Sequence, residues 1–314
     1  MMIIENPVLV LIGPTAIGKT GLSLEIARRF DCEIVSVDSM QVYRYLDIGT
    51  AKIGLEVRRE IPHHLIDIVE PDQPYHAARF VEDALAAIKQ IHQRGALPLL
   101  TGGTGLYLRA LLHGLFVGGE SDPALRRELT ERLQEEGSEA LHRELAACDR
   151  RSASRLHPHD ASRIIRALEV YRLTGRPLSS HLDRQPETGR IVFTKLLSLG
   201  LDCPRSVLYE RINRRSKEMI DSGLEREVRG LLKRGYGPHL KPMQAIGYRH
   251  MLQYLSGSCP REQLLETLAR DTRRYAKRQV TWFRRDPGIT WFGVSDTGTV
   301  MDYIGKWLDG HDSL

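Results

Sequence analysis

The stretch Gly13-Pro14-Thr15-Ala16-Ile17-Gly18-Lys19-Thr20 matches the phosphate-loop pattern G-x-x-x-x-G-K-[ST] at every fixed position. The apolar run Val8–Ile12 before it predicts a buried parallel strand, and the segment after it places Leu22, Ile26 and Phe30 at helical spacing. A strand before the loop and a helix after it are the context that this motif requires. The sequence therefore predicts a diphosphate site at the start of that helix.

Each part of this loop has a role in holding phosphate. Its glycines let backbone N–H groups close around phosphate oxygens, and the helix N-terminus adds a positive dipole. Lys19 contributes a mobile positive charge, and the Thr20 hydroxyl is suited to ligate Mg²⁺. We therefore predict that residues 13–20 bind a diphosphate and that Thr20 is the metal ligand. The alternative is a glycine turn that happens to end in a lysine.

Composition places the chain among soluble globular proteins. Its 314 residues allow one large or two modest domains, and 41% hydrophobic residues supply a sizeable core. No Lys or Arg precedes Lys19 and the first apolar run is short, so we expect neither a signal peptide nor a membrane span, and we predict a cytoplasmic protein. The four cysteines show no paired spacing, which argues against a zinc site or a disulfide framework.

A second predicted strand ends in polar residues. The β-branched run 33–37 leads into Asp38-Ser39-Met40-Gln41, and the carboxyl ends of strands in an open α/β sheet face the ligand crevice. We therefore expect Asp38 to point towards the group that the phosphate loop holds, although its carboxylate could instead only cap a turn. Further along, His63 and His64 would point to opposite sides of a strand, so a shared metal ion is not expected.

A third predicted strand, at 96–100, ends in the glycine-rich segment Thr101-Gly102-Gly103-Thr104-Gly105. This places hydroxyl groups at the crevice edge again, although a tight strand-to-helix turn would need only the glycines. The alternation of strands and helices up to this point predicts an α/β fold with a phosphate-loop NTPase-like core, in which a parallel sheet is flanked by helices.

Residues 118–189 break this alternation. Turn-forming residues at 118–123 and 185–189 enclose a segment in which only helical periodicity is found. We therefore predict an all-α insertion domain over 118–189, and a catalytic core made of 1–117 and 190–314.

The chain is expected to return to the core after the insertion. Residues 191–201 predict one strand of the sheet, followed by helices over 204–220 and 224–233. Arg226 and Arg229 lie near the start of the second helix, from where an arginine fork could reach a phosphate.

The strongest charge signal lies between residues 261 and 285. Eight basic residues stand against three acidic ones here, and the net charge of +5 equals the formal charge of the whole chain. Tyr275, Trp282 and Phe283 are interleaved with them, as in surfaces that bind a nucleic-acid backbone and stack bases. The alternative is a solvated basic helix face. A second basic cluster, Arg163-Ile164-Ile165-Arg166, lies in the helical segment.

Together these segments resemble the tRNA dimethylallyltransferase family, also called the tRNA isopentenyltransferases, along nearly the whole chain. Besides the phosphate loop, the resemblance rests on Asp38-Ser39-Met40-Gln41-Val42-Tyr43, Gly49-Thr50-Ala51-Lys52, His63-His64-Leu65-Ile66-Asp67, Thr101 to Tyr107, Arg163 to Glu169, Ala245-Ile246-Gly247-Tyr248 and Arg278 to Arg284. Several such motifs in one order are highly specific. The resemblance implies transfer of a dimethylallyl group from its diphosphate to the exocyclic amine of adenosine 37 of tRNA.

The resemblance also implies roles for individual residues. Asp38 would be the general base on the adenine amine, Thr104 would help to position the base, and Arg229 would steady the diphosphate together with Lys19, Thr20 and Mg²⁺. The residues implied to contact tRNA are Asp38, Ser39, Met40, Gln41, Thr104, Arg126, Ser162, Arg163, Ile164, Ile165, Arg166, Arg274, Lys277 and Arg278. The partners would be the anticodon arm of tRNA and dimethylallyl diphosphate, with no membrane, and the protein would act as a monomer.

Two other functions are compatible with the fold and the phosphate loop alone. A small-molecule kinase would need a tight ATP site and a small acceptor pocket. A non-catalytic RNA-binding module would leave Asp38 and Thr104 at the crevice without a catalytic function. The series of motifs and the basic aromatic helix favour the transferase.

Overall fold

A parallel β-sheet with helices on both faces organises the larger part of the structure. The structure, a computed structural model, describes residues 2–114, 122–183 and 191–312. Within them the strands are β1 (Met2–Ile4), β2 (Val8–Ile12), β3 (Cys32–Val37), β4 (His63–His64), β5 (Leu97–Gly102), β6 (Ile191–Phe193), β7 (Leu196–Asp202) and β8 (Ile289–Gly293).

Besides a 3₁₀ helix at Pro242–Gln244, the described residues contain fourteen α-helices. They are α1 (Lys19–Phe30), α2 (Leu55–Glu60), α3 (Ala77–Gln93), α4 (Gly105–His113), α5 (Pro123–Glu136), α6 (Ser138–Cys148), α7 (Arg150–Arg155), α8 (Ala161–Thr174), α9 (Leu178–Asp183), α10 (Arg205–Asp221), α11 (Leu224–Lys233), α12 (Tyr248–Leu255), α13 (Arg261–Phe283) and α14 (Thr297–Asp312). The chain divides into two compact units, one formed by 2–113 and 191–314 and the other by 114–190. Residues 118–121 and 185–189, predicted to bound the insertion, lie outside the described residues.

The main sheet has the strand order β4-β3-β5-β2-β7-β8, and all its pairs are parallel. β2 lies in its interior and is fully buried, with Val8, Val10 and Ile12 on one face and Leu9 and Leu11 on the other. A continuous apolar run is what a strand covered on both faces requires. The predicted phosphate-loop α/β core is confirmed.

The return from the insertion differs from the prediction of one strand over 191–201. The chain leaves the strand at the polar pair Thr194-Lys195, which divides the run into β6 and β7. β6 pairs in parallel with β1 in a separate two-stranded sheet, and β7 joins the main sheet beside β2. The strand β8 and the helix α14 were not predicted.

The second unit is helical throughout its described residues, as predicted. Leu129, Leu141, Leu145, Ile164 and Leu168 are fully buried in its own hydrophobic core. These leucines and isoleucines recur at helical spacing on α5, α6 and α8, so each helix contributes one apolar stripe.

Candidate active site

The phosphate loop connects β2 to α1 at the carboxyl end of an interior strand. Gly18 has a φ of 111° and Ala16 a φ of 64°, so the loop contains a left-handed conformation even at a residue with a Cβ. Contacts from α10 hold it in this shape: Arg211 Nη1 donates to the carbonyl of Ile17 at 2.7 Å. The loop is therefore fixed before any ligand arrives.

Gln279 of α13 bridges the phosphate loop to the turn after β5. Its Oε1 accepts from the Thr15 N–H at 2.8 Å, and its Nε2 donates to the Gly103 carbonyl at 2.8 Å. A Cβ on Gly103 would collide with Gln279 Nε2, so only glycine allows this approach. Glycine at position 103 is therefore explained by packing against Gln279, as well as by the backbone freedom that a turn needs.

Lys19 is the half-buried basic residue of the loop. Its Nζ donates to the carbonyls of Gly13 and Pro14, both at 2.9 Å. Burial lowers the pKa of Lys19 to about 7, and the neighbouring Arg215 contributes to this lowering, while Asp38 acts in the opposite direction. A bound anion would favour the charged form of Lys19, and it would interact with Lys19 and Arg215 more strongly than with the same side chains at the surface.

Arg215 of α10 is the arginine that lies at the phosphate loop. Its Nη1 donates to Thr15 Oγ1 at 3.2 Å and its Nη2 to the Thr50 carbonyl at 3.5 Å. Burial lowers the pKa of Arg215, although an arginine remains protonated at neutral pH.

The structure does not bring Arg229 to this loop. Its side chain is 57% exposed and forms an ion pair with Glu225 at 2.9 Å on the surface of α11. Arg226 is also exposed. Of the two neighbouring helices, α10 rather than α11 supplies the arginine that lines the phosphate-loop cavity.

Asp38 lies in the turn after β3. Its Oδ1 accepts from the backbone N–H groups of Met40 at 2.8 Å and Gln41 at 3.2 Å, so the carboxylate does cap a turn. Within the described residues Oδ2 makes no hydrogen bond. One oxygen is therefore anchored, and the other is available to a ligand.

Thr104 holds the Asp38 turn and does not itself line either cavity of the site. Its Oγ1 accepts from the Ser39 N–H at 3.1 Å, and its own N–H donates to the Val37 carbonyl at 3.1 Å. The ends of β3 and β5 are thus linked, because parallel strands end at the same edge of the sheet.

Two adjoining cavities meet at these residues. The first has a volume of about 390 Å³, and the phosphate-loop side chains Thr15, Lys19 and Thr20 line it. The second has a volume of about 330 Å³ and a more apolar wall. Residues shared by both are Thr15, Asp38, Thr50, Arg215 and Tyr275, and apolar residues of the second wall are Met40, Ile212, Met219, Ile246 and Leu268. Asp38 thus lies where a phosphate site meets an apolar site.

Tyr275 stands between the two cavities. Burial raises the pKa of Tyr275 to about 12, so its phenol stays protonated. Arg278 lies over its ring at 5.8 Å and lines the second cavity. The other interleaved aromatic residues are not at the site: Phe283 is buried in the core, and Trp282 packs where Gly105 leaves room.

Other residues that were expected to contact tRNA lie in the core unit. Ser39 and Met40 line the second cavity, and Gln41 lines the first. Lys277 is exposed, and Arg274 is 66% exposed and lies 3.5 Å from Asp271.

The remaining expected tRNA contacts lie in the helical unit. Arg126 of α5 and Ser162 of α8 are exposed. Arg163 is 69% exposed and pairs with Asp160 at 3.0 Å, and Arg166 pairs with the buried Glu169 at 2.8 Å. Ile164 and Ile165 belong to the hydrophobic core of this unit, so their side chains are structural.

The sequence prediction missed Arg215, the role of Gln279 and the position of Tyr275 at the junction. For Arg215 the sequence did contain one signal: Arg211 and Arg215 are four residues apart on α10, so they share a helix face. Both donate to the phosphate loop. No local pattern marks Gln279, whose partner Thr15 lies 264 residues away.

Among the described residues, no group of three or more His, Cys, Asp or Glu side chains could hold a metal ion. His64 lies 2.6 Å from Glu33, and His63 Nδ1 lies 2.6 Å from the Ile61 carbonyl. The hydroxyl-bearing Thr20 lines the phosphate-loop cavity. All four cysteines are free. In the part of the chain that the structure describes, no helix is both long and apolar enough to cross a membrane.

Comparison with known proteins identifies the family. The IPP transferase family model matches residues 41–286, and the isopentenyl transferase model matches residues 6–58. The tRNA dimethylallyltransferase of Desulfotalea psychrophila is 52% identical over 306 residues, covering 98% of this chain and 97% of that protein. The tRNA dimethylallyltransferase 2 of Syntrophus aciditrophicus is 47% identical, with 98% of each chain covered.

Solved structures agree with this assignment. The full-length tRNA isopentenylpyrophosphate transferase of Bacillus halodurans has a TM-score of 0.71 and 40% identity, covering 98% of this chain and 99% of that one. A eukaryotic dimethylallyltransferase acting on tRNA has a TM-score of 0.77 and 30% identity, with 92% and 74% covered. These similarities do not favour the small-molecule kinase. The chain therefore belongs to the IPP transferase family of tRNA dimethylallyltransferases, and it is a prenyltransferase.

Proposed function

We propose that this chain transfers the dimethylallyl group of dimethylallyl diphosphate to the exocyclic amine of adenosine 37 of tRNA, giving isopentenyladenosine. The observation that carries the proposal is that Asp38 lies in both cavities, between the phosphate-loop cations and an apolar wall. Prenyl transfer needs an anion site for the leaving group and a proton acceptor on the other side of the reacting carbon. Family membership supports the same reaction.

The phosphate loop stabilises the diphosphate as it departs. Lys19 exchanges its two backbone carbonyls for phosphate oxygens, which are stronger acceptors. Arg215 adds a second, half-buried charge. In the ligand-free protein it donates to the Thr15 hydroxyl and the Thr50 carbonyl, which are neutral acceptors. Because charge grows on the diphosphate in the transition state, these preorganised cations lower the barrier.

A magnesium ion fits this site through the hard oxygen of Thr20. Mg²⁺ keeps several water ligands and is commonly held by one or two protein oxygens together with substrate phosphates. The Thr20 hydroxyl lines the phosphate-loop cavity and supplies such an oxygen. When bound, the ion neutralises charge on the diphosphate.

Asp38 accepts the proton that the adenine amine loses. The bond from the amine nitrogen to the prenyl carbon forms, the bond from that carbon to the diphosphate oxygen breaks, and the diphosphate leaves with the electron pair. The amine lone pair is delocalised into the ring, so removal of its proton matters in the transition state. Oδ1 is held by the Met40 and Gln41 N–H groups, so Oδ2 is the oxygen that accepts the proton.

The second cavity takes the adenine base. Its wall combines apolar side chains with Tyr275 and Arg278, which suits a flat aromatic ring. The base must leave its stack to enter, which costs a few kcal/mol and costs least from a single-stranded loop such as that of the anticodon arm. Exposed basic side chains, Lys277 on the core and Arg126 and Arg163 on the helical unit, then hold tRNA phosphates. The protein acts as a monomer in the cytoplasm.

Labelled dimethylallyl diphosphate tests the proposal directly. The protein is incubated with it and with a tRNA that carries adenosine at position 37, or guanosine there as the control. Label should enter only the adenosine tRNA, and nuclease digestion should release isopentenyladenosine. Tight tRNA binding without transfer would instead establish the binding module, and ATP-dependent phosphorylation of a small acceptor would establish the kinase.

A further inference from the structure

The carboxylate of Glu227, which lines neither cavity, binds the backbone of residues 46–52. We call this segment the 46–52 loop. Glu227 of α11 accepts with Oε2 from the N–H groups of Asp47 at 3.1 Å and Ile48 at 2.7 Å. Its Oε1 accepts from the Gly49 N–H at 3.2 Å. Three consecutive N–H groups on one carboxylate form charge-assisted hydrogen bonds, which are about twice as strong as neutral ones.

Tyr248 completes this arrangement from α12. Its hydroxyl donates to Glu227 Oε1 at 2.6 Å, and the ring is fully buried. Burial and the nearby carboxylate raise the pKa of Tyr248 far above its usual range, so the phenol keeps the proton that it donates. A Cβ on Gly49 would collide with the Tyr248 ring, so the loop packs directly on the tyrosine.

The far end of the 46–52 loop has a second anchor. Lys52 is only 2% exposed, and its Nζ donates to Asp47 Oδ1 at 2.7 Å, to Asp67 Oδ1 at 2.6 Å and to the Tyr43 carbonyl at 2.9 Å. Lys52 therefore fixes where the loop rejoins the core, and Glu227 fixes its central backbone.

The loop reaches the reaction site through Thr50, which lines both cavities. The Thr50 carbonyl accepts from Arg215 Nη2 at 3.5 Å and from Gln41 Nε2 at 3.2 Å. Arg215 extends its other nitrogen to Thr15 of the phosphate loop. Thr50 directly follows Gly49, so the hydrogen bond from Gly49 to Glu227 constrains this carbonyl, together with the bond that Thr50 Oγ1 donates to the Leu46 carbonyl at 2.6 Å.

We propose that Glu227 is a positioning residue for prenyl transfer, acting through the 46–52 loop and the Thr50 carbonyl to orient Arg215 against the phosphate loop. This inference rests on the proposed function, in which Arg215 stabilises the departing diphosphate. Glu227 itself lines neither cavity and touches no substrate. Its effect is therefore on geometry, and a displacement of about 1 Å at a reacting group is enough to cost about 100-fold in rate.

The test is a double-mutant cycle between Glu227→Gln and Arg215→Ala, with kcat and KM measured for steady-state transfer to tRNA. Glutamine keeps the size of the side chain but replaces one acceptor oxygen with an NH₂ group, which faces backbone donors. We expect Glu227→Gln to lower kcat by about 10–100-fold with the KM for tRNA changed less than about threefold. In the Arg215→Ala background Glu227→Gln should lower kcat by less than about threefold, because Arg215, through which Glu227 acts, is absent.

Glu225→Gln is the matched control, since Glu225 lies on the same helix and pairs with Arg229 at the surface. It should retain wild-type kcat. If the losses of Glu227→Gln and Arg215→Ala multiply in full, Glu227 acts independently of Arg215 and the proposal is overturned. Wild-type kcat in Glu227→Gln would overturn it as well.

Tyr248→Phe serves if Glu227→Gln does not fold. It removes only one of the four hydrogen bonds to the carboxylate, and it should lower kcat by about two- to tenfold, again with little loss in the Arg215→Ala background. A full additional loss in that background would contradict the proposal. Transfer by the wild-type protein is measured in the same experiment, so a failure of the proposed function shows as no transfer at all and is distinct from a failure of the role of Glu227.

Discussion

Replacement of Arg215 by alanine removes a half-buried charge beside the phosphate loop. In the ligand-free protein its guanidinium donates to Thr15 Oγ1 and to the Thr50 carbonyl, which are both uncharged acceptors. Among the described residues Arg215 forms no hydrogen bond with a carboxylate, so its charge is available to a departing diphosphate. Arg229 provides the control, because it lies in a surface ion pair with Glu225.

The expected magnitude follows from these two environments. Removal of one preorganised donor from developing negative charge costs about 10²–10³ in kcat, which is about 3–4 kcal/mol. An exposed ion pair contributes at most about 1 kcal/mol to stability, and the loss of the Arg229 pair should leave transfer within about twofold of wild type. The kcat of Arg215→Lys should lie between those of Arg215→Ala and Arg229→Ala, since lysine keeps a positive charge but lacks the planar guanidinium fork.

The assay is single-turnover transfer of labelled dimethylallyl groups with tRNA and prenyl diphosphate both saturating, alongside the melting temperature of each variant. Arg215→Ala should lose turnover while it retains a cooperative melting transition. The assignment of Arg215 is refuted if Arg215→Ala transfers within about threefold of wild type, a loss of less than about 1 kcal/mol. It is equally refuted if Arg229→Ala is as severely impaired.

Three further predictions concern the base, the loop lysine and the RNA surface. Asp38→Asn should bind both substrates almost normally and lower kcat by about 10²–10⁴, and a loss of diphosphate affinity parallel to the loss of rate would assign Asp38 to the metal instead. Burial lowers the pKa of Lys19 to about 7 in the folded protein, and a bound diphosphate favours the charged amine. The affinity for a non-hydrolysable prenyl diphosphate should therefore fall above about pH 7, by up to about tenfold per pH unit. Calorimetry from about pH 6.5 to about pH 9 measures this, and Lys19→Arg, which stays charged, should flatten the dependence. Reversing the charges of Arg274, Lys277 and Arg278 together should reduce the slope of log affinity for tRNA against log salt by about one for each phosphate that is no longer neutralised, and an unchanged slope would mean that this helix is only a solvated face.

The segments that sequence placed at the crevice edge of the sheet are those that a local pattern determines. The phosphate loop has its own motif, and Asp38 and Thr104 follow strands whose apolar runs mark the same sheet edge. A parallel sheet brings such ends together whatever the order of its strands.

The parts that sequence did not predict depend on which helix packs against the loop. Arg215 and Arg229 lie on consecutive helices with similar local patterns, and only tertiary packing places α10 and not α11 beside Thr15. Glu227 is equally inconspicuous, because its partners lie about 180 residues earlier in the chain. Long-range contacts of this kind leave no periodic trace in sequence.

The basic cluster of the helical unit shows two signals in conflict. The family resemblance implied that all five residues at 162–166 contact tRNA, whereas helical periodicity assigns Ile164 and Ile165 to the apolar stripe. The structure follows the periodicity, since both isoleucines are buried while Ser162 and Arg163 are exposed. A motif can thus be contiguous in sequence and still present only some of its side chains to a partner.

The bridge made by Gln279 has a consequence for synthesis of the protein. The phosphate loop emerges from the ribosome first, but the side chain that ties Thr15 to Gly103 belongs to a helix that ends at Phe283. Until that helix is made, both backbone groups lack this partner, and a buried group without its hydrogen bond costs about 1–3 kcal/mol. Until α13 has been made, the nascent chain therefore carries its phosphate motif without a completed site. A chain truncated before α13 should bind diphosphate weakly and transfer nothing, so modification of tRNA is confined to molecules in which α13 has been made and packed.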